Sequence, residues 1–223
     1  VALAKKETEG LGDTAEKSGK RAEAAMKAAA AAGKVVGSAI AASLTVAAAA
    51  LASWTRQTID QARAIERLSD VAGTSNTEFQ RWAMGARQVG IEQDKLADIL
   101  KDTQDKIGDF LQTGGGGMAD FFENIAPAVG VTAEQFRKLS GPAALQLYVD
   151  ALEAANLSQS EMAFYLEAIA SDSTLLLPLL RSGGAEMRKY GDEAQRLGAI
   201  MSDDVIDSTK ELQRITREMD QQF

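Results

Sequence analysis

The chain has 223 residues, of which 45% are hydrophobic and only 5% aromatic, and its formal net charge is −8. It contains no Cys and no His, which excludes disulfides, thiol nucleophiles, zinc–thiolate sites, imidazole metal ligands and Ser-His-Asp triads. The acidic balance argues against duplex DNA as a ligand, because DNA-binding proteins normally present a basic face. We therefore expect no enzymatic activity, no cofactor, no metal and no specific binding of nucleic acid.

Alanine dominates the first part of the chain, residues 1–55. Sixteen of the 31 residues from 22 to 52 are alanine, which has the highest helix propensity, so a long helix is predicted. Residues 35–54 carry no charge, and a helix of that length would rise roughly 30 Å, about the thickness of a bilayer core. Either a membrane span or close packing against other helices through small residues explains this segment. Its candidate residues are Gly33, Gly37, Ile40, Leu44, Val46, Leu51 and Trp54.

A recurring helix start organises the second part, residues 56–201. In three places a Ser or Thr is followed three residues later by Glu or Gln, which is the pattern of a capping box. A Gly or Asn two residues before each cap is placed to end the preceding helix. These closely spaced signals predict an array of short amphipathic helical hairpins joined by very short turns. The cap residues are Ser75 with Glu78, Thr132 with Gln135, and Ser158 with Glu161.

Two further breaks are predicted in this part of the chain. Four consecutive glycines at 114–117 indicate a flexible connection after an amphipathic helix over 92–112. Pro178 lies in an apolar run and is predicted to end or kink a short helix there, with the glycines at 183–184 opening the next one. No run alternates with period two, so no strand is predicted.

The third part, residues 202–223, is a strongly charged helix. Ser202 is its predicted cap, and Asp203 and Asp204 occupy its first turn, where acidic residues suit the helix dipole. Val205, Leu212 and Met219 lie seven residues apart, a spacing typical of a coiled coil. The helical pattern has no stop signal, and we expect it to continue in a longer protein. The predicted fold class is therefore all-α, with a long Ala-rich helix, an array of short helical hairpins and a long charged C-terminal helix.

The side chains that come nearest to catalytic or binding patterns have simpler structural explanations. The carboxylate pairs at 203/204 and 150/153 lie at a helix start and on a polar helix face. The pairs Phe121-Phe122 and Phe164-Tyr165 are candidate stacking platforms for single-stranded nucleic acid, but no Lys/Arg groove surrounds them. Core packing is the prediction for these aromatic residues.

Four stretches are more specific together than singly: residues 58–75, which end in LSDVAGTS, 78–91 (EFQRWAMGARQVGI), 175–184 (LLLPLLRSGG) and 194–204 (AQRLGAIMSDD). In combination with the Ala-rich segment before them, they resemble the tail tape measure proteins of long-tailed phages and prophages, of siphovirus or myovirus type. The resemblance covers roughly residues 35–215. It concerns helix starts and apolar positions, and it provides no catalytic, cofactor-binding or metal-binding residues.

This resemblance implies a virion structural protein that acts as a helical ruler inside the tail tube. Such a ruler sets tail length and is ejected at infection to assist DNA passage across the host membrane. The implied partners are further copies of the chain in a homo-oligomer such as a trimer, the tail tube protein, the tail assembly chaperones, distal tail or baseplate proteins and the host inner membrane. The implied locations are the lumen of the tail, the host cytoplasm during assembly and the host cell envelope after ejection.

Two other functional classes stay open. The first is a membrane-active helical effector or pore-forming protein, in which a helical bundle shelters residues 35–54. The second is a soluble helical adaptor that is a monomer with a specific partner. The conformation of residues 56–201 is open as well, because the same helices suit a compact domain or a straightened rod.

Overall fold

The computed structural model describes residues 57–220, and this part of the chain consists of helices and turns without a strand. The helices are α1 (57–71), α2 (Asn76–Gln88), α3 (Gln93–Thr113), α4 (Ala133–Phe136), α5 (Gly141–Ala154), α6 (Gln159–Ile169), α7 (Leu177–Arg196) and α8 (Asp203–Asp220). A π-helical turn at Phe121–Ile125 and 3₁₀ turns at Pro127–Val129 and Ser173–Leu176 connect them. The predicted all-α fold is confirmed for this part of the chain.

The predictions for the Ala-rich part of the chain fall on residues that lie outside the described ones. This applies to the long N-terminal helix and to its candidate membrane or packing residues, which are Gly33, Gly37, Ile40, Leu44, Val46, Leu51 and Trp54. From Thr58 onward, the described residues belong to one compact unit.

The amphipathic pattern of α3 shows how the sequence builds the core. Its buried side chains follow a three-four spacing along 21 residues, so one face of the helix points inward. The buried residues are Leu96, Ala97, Ile99, Leu100, Thr103 and Ile107. They pack with the inner faces of α2, α5 and α6 around Tyr148 and Phe121, which are fully buried.

Left-handed residues end the helices where the sequence predicts their ends. The backbone has a positive φ at Gly73, Gly90, Gly130 and Asn156. Each lies two residues before the N-cap of the next helix, so the turns are very short. Gly114, the first residue of the four-glycine run, adopts the left-handed conformation that closes α3.

Pro178 begins a helix instead of ending one. It lies in the first turn of α7, where the absence of an N–H group is tolerated because no intrahelical acceptor is available. The interruption lies further along, at Arg181–Gly184, where the backbone leaves the helical conformation. The sequence prediction that Pro178 ends or kinks the helix was therefore wrong, whereas the glycines at 183–184 do mark the break.

Two glycines allow α2 and α7 to approach closely. Gly85 on α2 faces Met187, whose sulfur occupies the space that a Cβ would take. Gly191 on α7 faces Arg81, and a Cβ there would lie 3.0 Å from the Arg81 Cβ. The two contacts are reciprocal, so each helix presents a glycine to a larger side chain of the other.

Candidate functional site

The turn between α7 and α8 is fixed to α2 by one buried glutamine. Gln80 Nε2 donates to the Met201 carbonyl at 2.9 Å, and the Met201 N–H donates to Gln80 Oε1 at 2.8 Å. Gln80 is 6% exposed. The side-chain amide therefore satisfies both polar groups of one backbone residue, as a neighbouring backbone would.

Asn76, at the start of α2, connects the same region to α8. Its side-chain amide donates to Asp203 Oδ1 at 3.0 Å, and its Oδ1 accepts from the Ser69 hydroxyl at 2.6 Å. Asp203 lies in the first turn of α8. This hydrogen bond joins the first turns of α2 and α8, although the two residues lie 127 positions apart in the sequence.

Apolar and ionic contacts seat the beginning of α8 on α1. Ile206 is 1% exposed and packs against Ala62 and Ile65. Lys210 pairs with Glu66 across the two helices, and its hydrogen bond to Glu66 raises the pKa of the lysine. The buried isoleucine supplies most of the stabilisation, because exposed ion pairs contribute little.

A groove of about 450 Å³ lies where α1, α2, the start of α3 and the α7–α8 turn meet. Apolar groups of Leu68, Met84 and Met201 line it, and Arg67 and Asp94 form an ion pair of 3.7 Å at its rim. Charges of both signs surround it, so the groove has neither the uniform positive potential of an anion site nor a convergent set of catalytic groups.

The predicted cap residues lie at helix starts. Ser75 Oγ accepts from the Glu78 N–H at 3.2 Å, and Ser202 Oγ accepts from the Val205 N–H at 3.4 Å. Ser158 and Glu161 form both halves of a capping box, with the Ser158 N–H donating to the Glu161 carboxylate at 2.8 Å. The hydrogen bond from the Ser158 hydroxyl and, to a smaller extent, the one from the Ser158 N–H lower the pKa of Glu161.

The other two predicted partners behave differently from each other. Gln135 Oε1 accepts from the Thr132 N–H at 2.9 Å, as a capping box requires. The Glu78 carboxylate instead accepts from the hydroxyls of Thr74 and Ser140, at 3.3 Å for Ser140. Glu78 therefore joins the start of α2 to the start of α5.

Ser140 is a helix cap that the sequence reasoning missed. It precedes α5, and its Oγ accepts from the Ala143 N–H at 3.4 Å. The signal was present as Ser-Gly-Pro, because proline in the first turn after a serine is a common helix start. No Glu or Gln follows at the third position, so a search for capping boxes passes over it.

The aromatic pairs separate into buried and exposed members. Phe121 and Phe122 are buried, and their ring centroids are 5.0 Å apart in an edge-to-face arrangement. Tyr165 is buried, but the neighbouring Phe164 is 59% exposed. The prediction of core packing is thus correct for three of these residues and wrong for Phe164, because successive helical residues point in different directions.

The candidate carboxylates take part in structural hydrogen bonds. Asp150 accepts from the Gln146 amide at 2.8 Å, and Glu153 accepts from the Ser182 N–H at 2.9 Å. Asp203 accepts from Asn76. Within the described residues, no group of three or more acidic side chains is arranged to hold a metal ion.

Between residues 57 and 220, no helix is both long enough and apolar enough to cross a bilayer. Comparison of the chain with known proteins found no matching family model, no matching curated protein and no matching solved structure.

Proposed function

We propose that this chain is part of a tail tape measure protein of a long-tailed phage or prophage. In this function the protein is a helical ruler in the tail tube that sets tail length and leaves at infection to assist DNA passage across the host membrane. It assembles with further copies of itself, the tail tube protein, tail assembly chaperones and distal tail proteins. The proposal rests on the resemblance of the segments 58–75, 78–91, 175–184 and 194–204.

One structural observation supports treating these segments as a single signature. Three of them line one groove, through Leu68, Met84 and Met201. Two of these three are also joined by the hydrogen bond from Gln80 to Met201, although more than a hundred residues of sequence lie between the partners. These short motifs can therefore be treated together, because they build one packed junction between α1, α2, the α7–α8 turn and α8.

A compact unit and a ruler require different arrangements of helices. A ruler needs a continuous helix in which each residue adds about 1.5 Å. The 18 residues of α8 therefore contribute about 27 Å, whereas the packed helices before it contribute no regular increment. We infer that length is set by continuous helix such as α8, and that the compact unit is a folded module carried on the ruler.

The surface charge of the compact unit suits a lumen through which DNA passes. An exposed row of aspartates follows the outer face of α3 at helical spacing, and it consists of Asp94, Asp98, Asp102, Asp105 and Asp109. Like charges repel, so such a face disfavours adhesion of the phosphate backbone.

The test of the proposal is an insertion series in the phage that encodes the chain. About 28 residues of helix-forming heptads placed after Asp220 should lengthen the tail by about 42 Å, measured by electron microscopy of purified particles. The matched control places the same residues between Gly116 and Gly117, in the exposed connection after α3, and should leave the length unchanged. Equal tail lengths in both variants, or tails that lack the protein, would refute the proposal.

The same preparation separates the other two functional classes. Flotation of the isolated chain with liposomes at neutral pH would indicate a membrane-active effector. A monomer that binds one specific soluble partner, and that is missing from tails, would indicate an adaptor.

A further inference from the structure

The backbone of α7 leaves the right-handed helical conformation over the four residues Arg181–Gly184, here called the hinge segment. Arg181 is extended, and the next three residues are left-handed, with φ values of 54° at Ser182, 66° at Gly183 and 72° at Gly184. The residues on both sides are helical. Serine gains nothing from this conformation by itself, since its Cβ crowds the following carbonyl there. Contacts from outside the segment must therefore hold it.

Two side chains of α5 provide these contacts, and they replace the hydrogen bonds that the helix has lost. In a continuous helix the Leu180 carbonyl would accept from residue 184, and the Ser182 N–H would donate to residue 178. In the structure, Gln146 Nε2 donates to the Leu180 carbonyl at 2.7 Å, and Glu153 Oε2 accepts from the Ser182 N–H at 2.9 Å. We call Gln146 and Glu153 the latch pair.

A third replacement comes from α7 itself. The Arg188 guanidinium donates to the Gly183 carbonyl, which would accept from residue 187 in a continuous helix. The Gln146 side chain also fills the space in which a Cβ on Gly184 would lie. In the bent form, side chains provide hydrogen-bond partners for these backbone N–H and carbonyl groups. In a straight helix the same groups would bond to one another within the helix.

The break allows the two halves of α7 to bury different surfaces. Leu179 and Leu180 lie in the main core before the hinge segment. After it, Met187 and Gly191 pack against α2 at Gly85 and Arg81. A straight helix brings the axes of the two halves into line, so it must release one of these sets of contacts.

We propose that the hinge segment is a two-state conformational device, held in its bent state by the latch pair. In the second state residues 175–196 form one continuous helix of about 33 Å. Opening separates the first turn of α7 from α5 and leaves the α2–α7 contacts in place. Its use to lengthen the compact unit inside a tail rests on the proposed function, but the existence of two states does not.

The two states are distinguished by electron–electron distance measurements on the full chain. The chain contains no cysteine, so Leu175→Cys and Glu193→Cys, both at exposed positions, provide unique attachment points for spin labels. If residues 175–193 become one helix, the two Cα atoms lie about 27 Å apart. Variants that favour the straight state should therefore show this distance in addition to the one measured for the unmodified chain.

The decisive comparison is between two substitutions at one position. No atom lies within 4 Å of a Cβ built on Gly183, so Gly183→Ala acts through backbone preference alone. Combined with Glu153→Gln, it should raise the ratio of straight to bent molecules by roughly a hundredfold, about tenfold from each change. Gly183→Asn is the control, because asparagine tolerates the left-handed conformation, and it should keep the single distance of the unmodified chain.

Circular dichroism verifies that each variant is folded. If the double variant does not fold, the variant with Glu153→Gln alone is measured instead. The two-state proposal would be overturned if the folded variant tested showed the same distance between labels as the Gly183→Asn control. The same labels in purified tails then test the biological use. The straight-helix distance of about 27 Å between the Cα atoms supports opening inside the tube, and the distance of the unmodified isolated chain refutes it. Absence of the labelled chain from tails refutes the proposed function while the result on the isolated chain stands.

Discussion

The side-chain amide of Gln80 holds both backbone polar groups of Met201, which lies 121 residues later in the chain. The glutamine is buried on α2, and the methionine lies in the turn between α7 and α8. These two hydrogen bonds fix where α8 begins relative to α2. The position of α8 on α1, with Ile206 between Ala62 and Ile65, depends on that placement.

Replacement of Gln80 by alanine should destabilise the compact unit by about 2–4 kcal/mol, because three hydrogen bonds are lost, one to the Asn76 carbonyl and two to Met201, and the Met201 backbone loses its partners. Urea denaturation followed by circular dichroism measures the free energy of unfolding. Gln88→Ala on the same helix is the control, since Gln88 is exposed and makes one long contact of 3.4 Å to the Met84 carbonyl. Equal effects of the two substitutions would contradict the role assigned to Gln80.

Two helical glycines should respond to alanine with opposite signs. A Cβ on Gly141 would overlap the Ala72 carbonyl oxygen, which is backbone and cannot turn away, so Gly141→Ala should cost about 2–3 kcal/mol. Gly108 lies within α3 with nothing within 4 Å of such a Cβ, and Gly108→Ala should gain about 0.5–1 kcal/mol. Thermal melts of both variants give the signs directly, and a stabilising Gly141→Ala would show that the turn after α1 does not contact the start of α5 through the Ala72 carbonyl.

Burial separates two phenylalanines that look alike in the sequence. Phe121 is 1% exposed, and its ring centroid lies 4.4 Å from that of Tyr148, so Phe121→Ala should cost about 3–5 kcal/mol. Phe164 is 59% exposed, and Phe164→Ala should change the free energy of unfolding by less than about 0.5 kcal/mol. Denaturant titration of the two variants measures both values. A large loss for Phe164→Ala would mean that a partner or a second copy covers this side chain.

Local signals explain why so much of the fold could be predicted from the sequence. Helix starts at Ser75, Ser158 and Ser202 and helix ends at Gly73 and Asn156 depend on a few consecutive residues, so short-range chemistry determines them. The three-four spacing in α3 likewise identifies its buried face without knowledge of its neighbours. The all-α fold follows from these signals.

The parts that sequence reasoning missed depend on contacts between distant residues. Whether Gln80 is buried and bonded to Met201 cannot be read from the residues around either of them. The same holds for Glu78, which has the spacing of a capping residue but bonds to Ser140 on another element. The prediction for Pro178 was wrong for a different reason, because a proline occurs both at the end of a helix and in the first turn of one. Tertiary placement decides such cases.

The phenol of Tyr165 provides a prediction about pH. Burial and, to a smaller extent, its hydrogen bond to the Asp120 carboxylate raise the pKa of Tyr165 to about 12, above its ordinary value of 10.0. The folded state therefore favours the neutral phenol. The associated stabilisation is complete below about pH 10 and is lost as the pH rises towards 12.

Asp120→Asn removes the negative charge but leaves the burial, so the pKa of Tyr165 should fall while remaining above its ordinary value. Titration of the chain with ¹³C in the tyrosine rings, followed by NMR, resolves Tyr165 from Tyr148, whose pKa burial raises further. Asp98→Asn, on the exposed face of α3, is the control and should leave the Tyr165 titration unchanged. If Asp120→Asn raised the pKa of Tyr165 or left it unchanged, the carboxylate would not be the partner of this phenol.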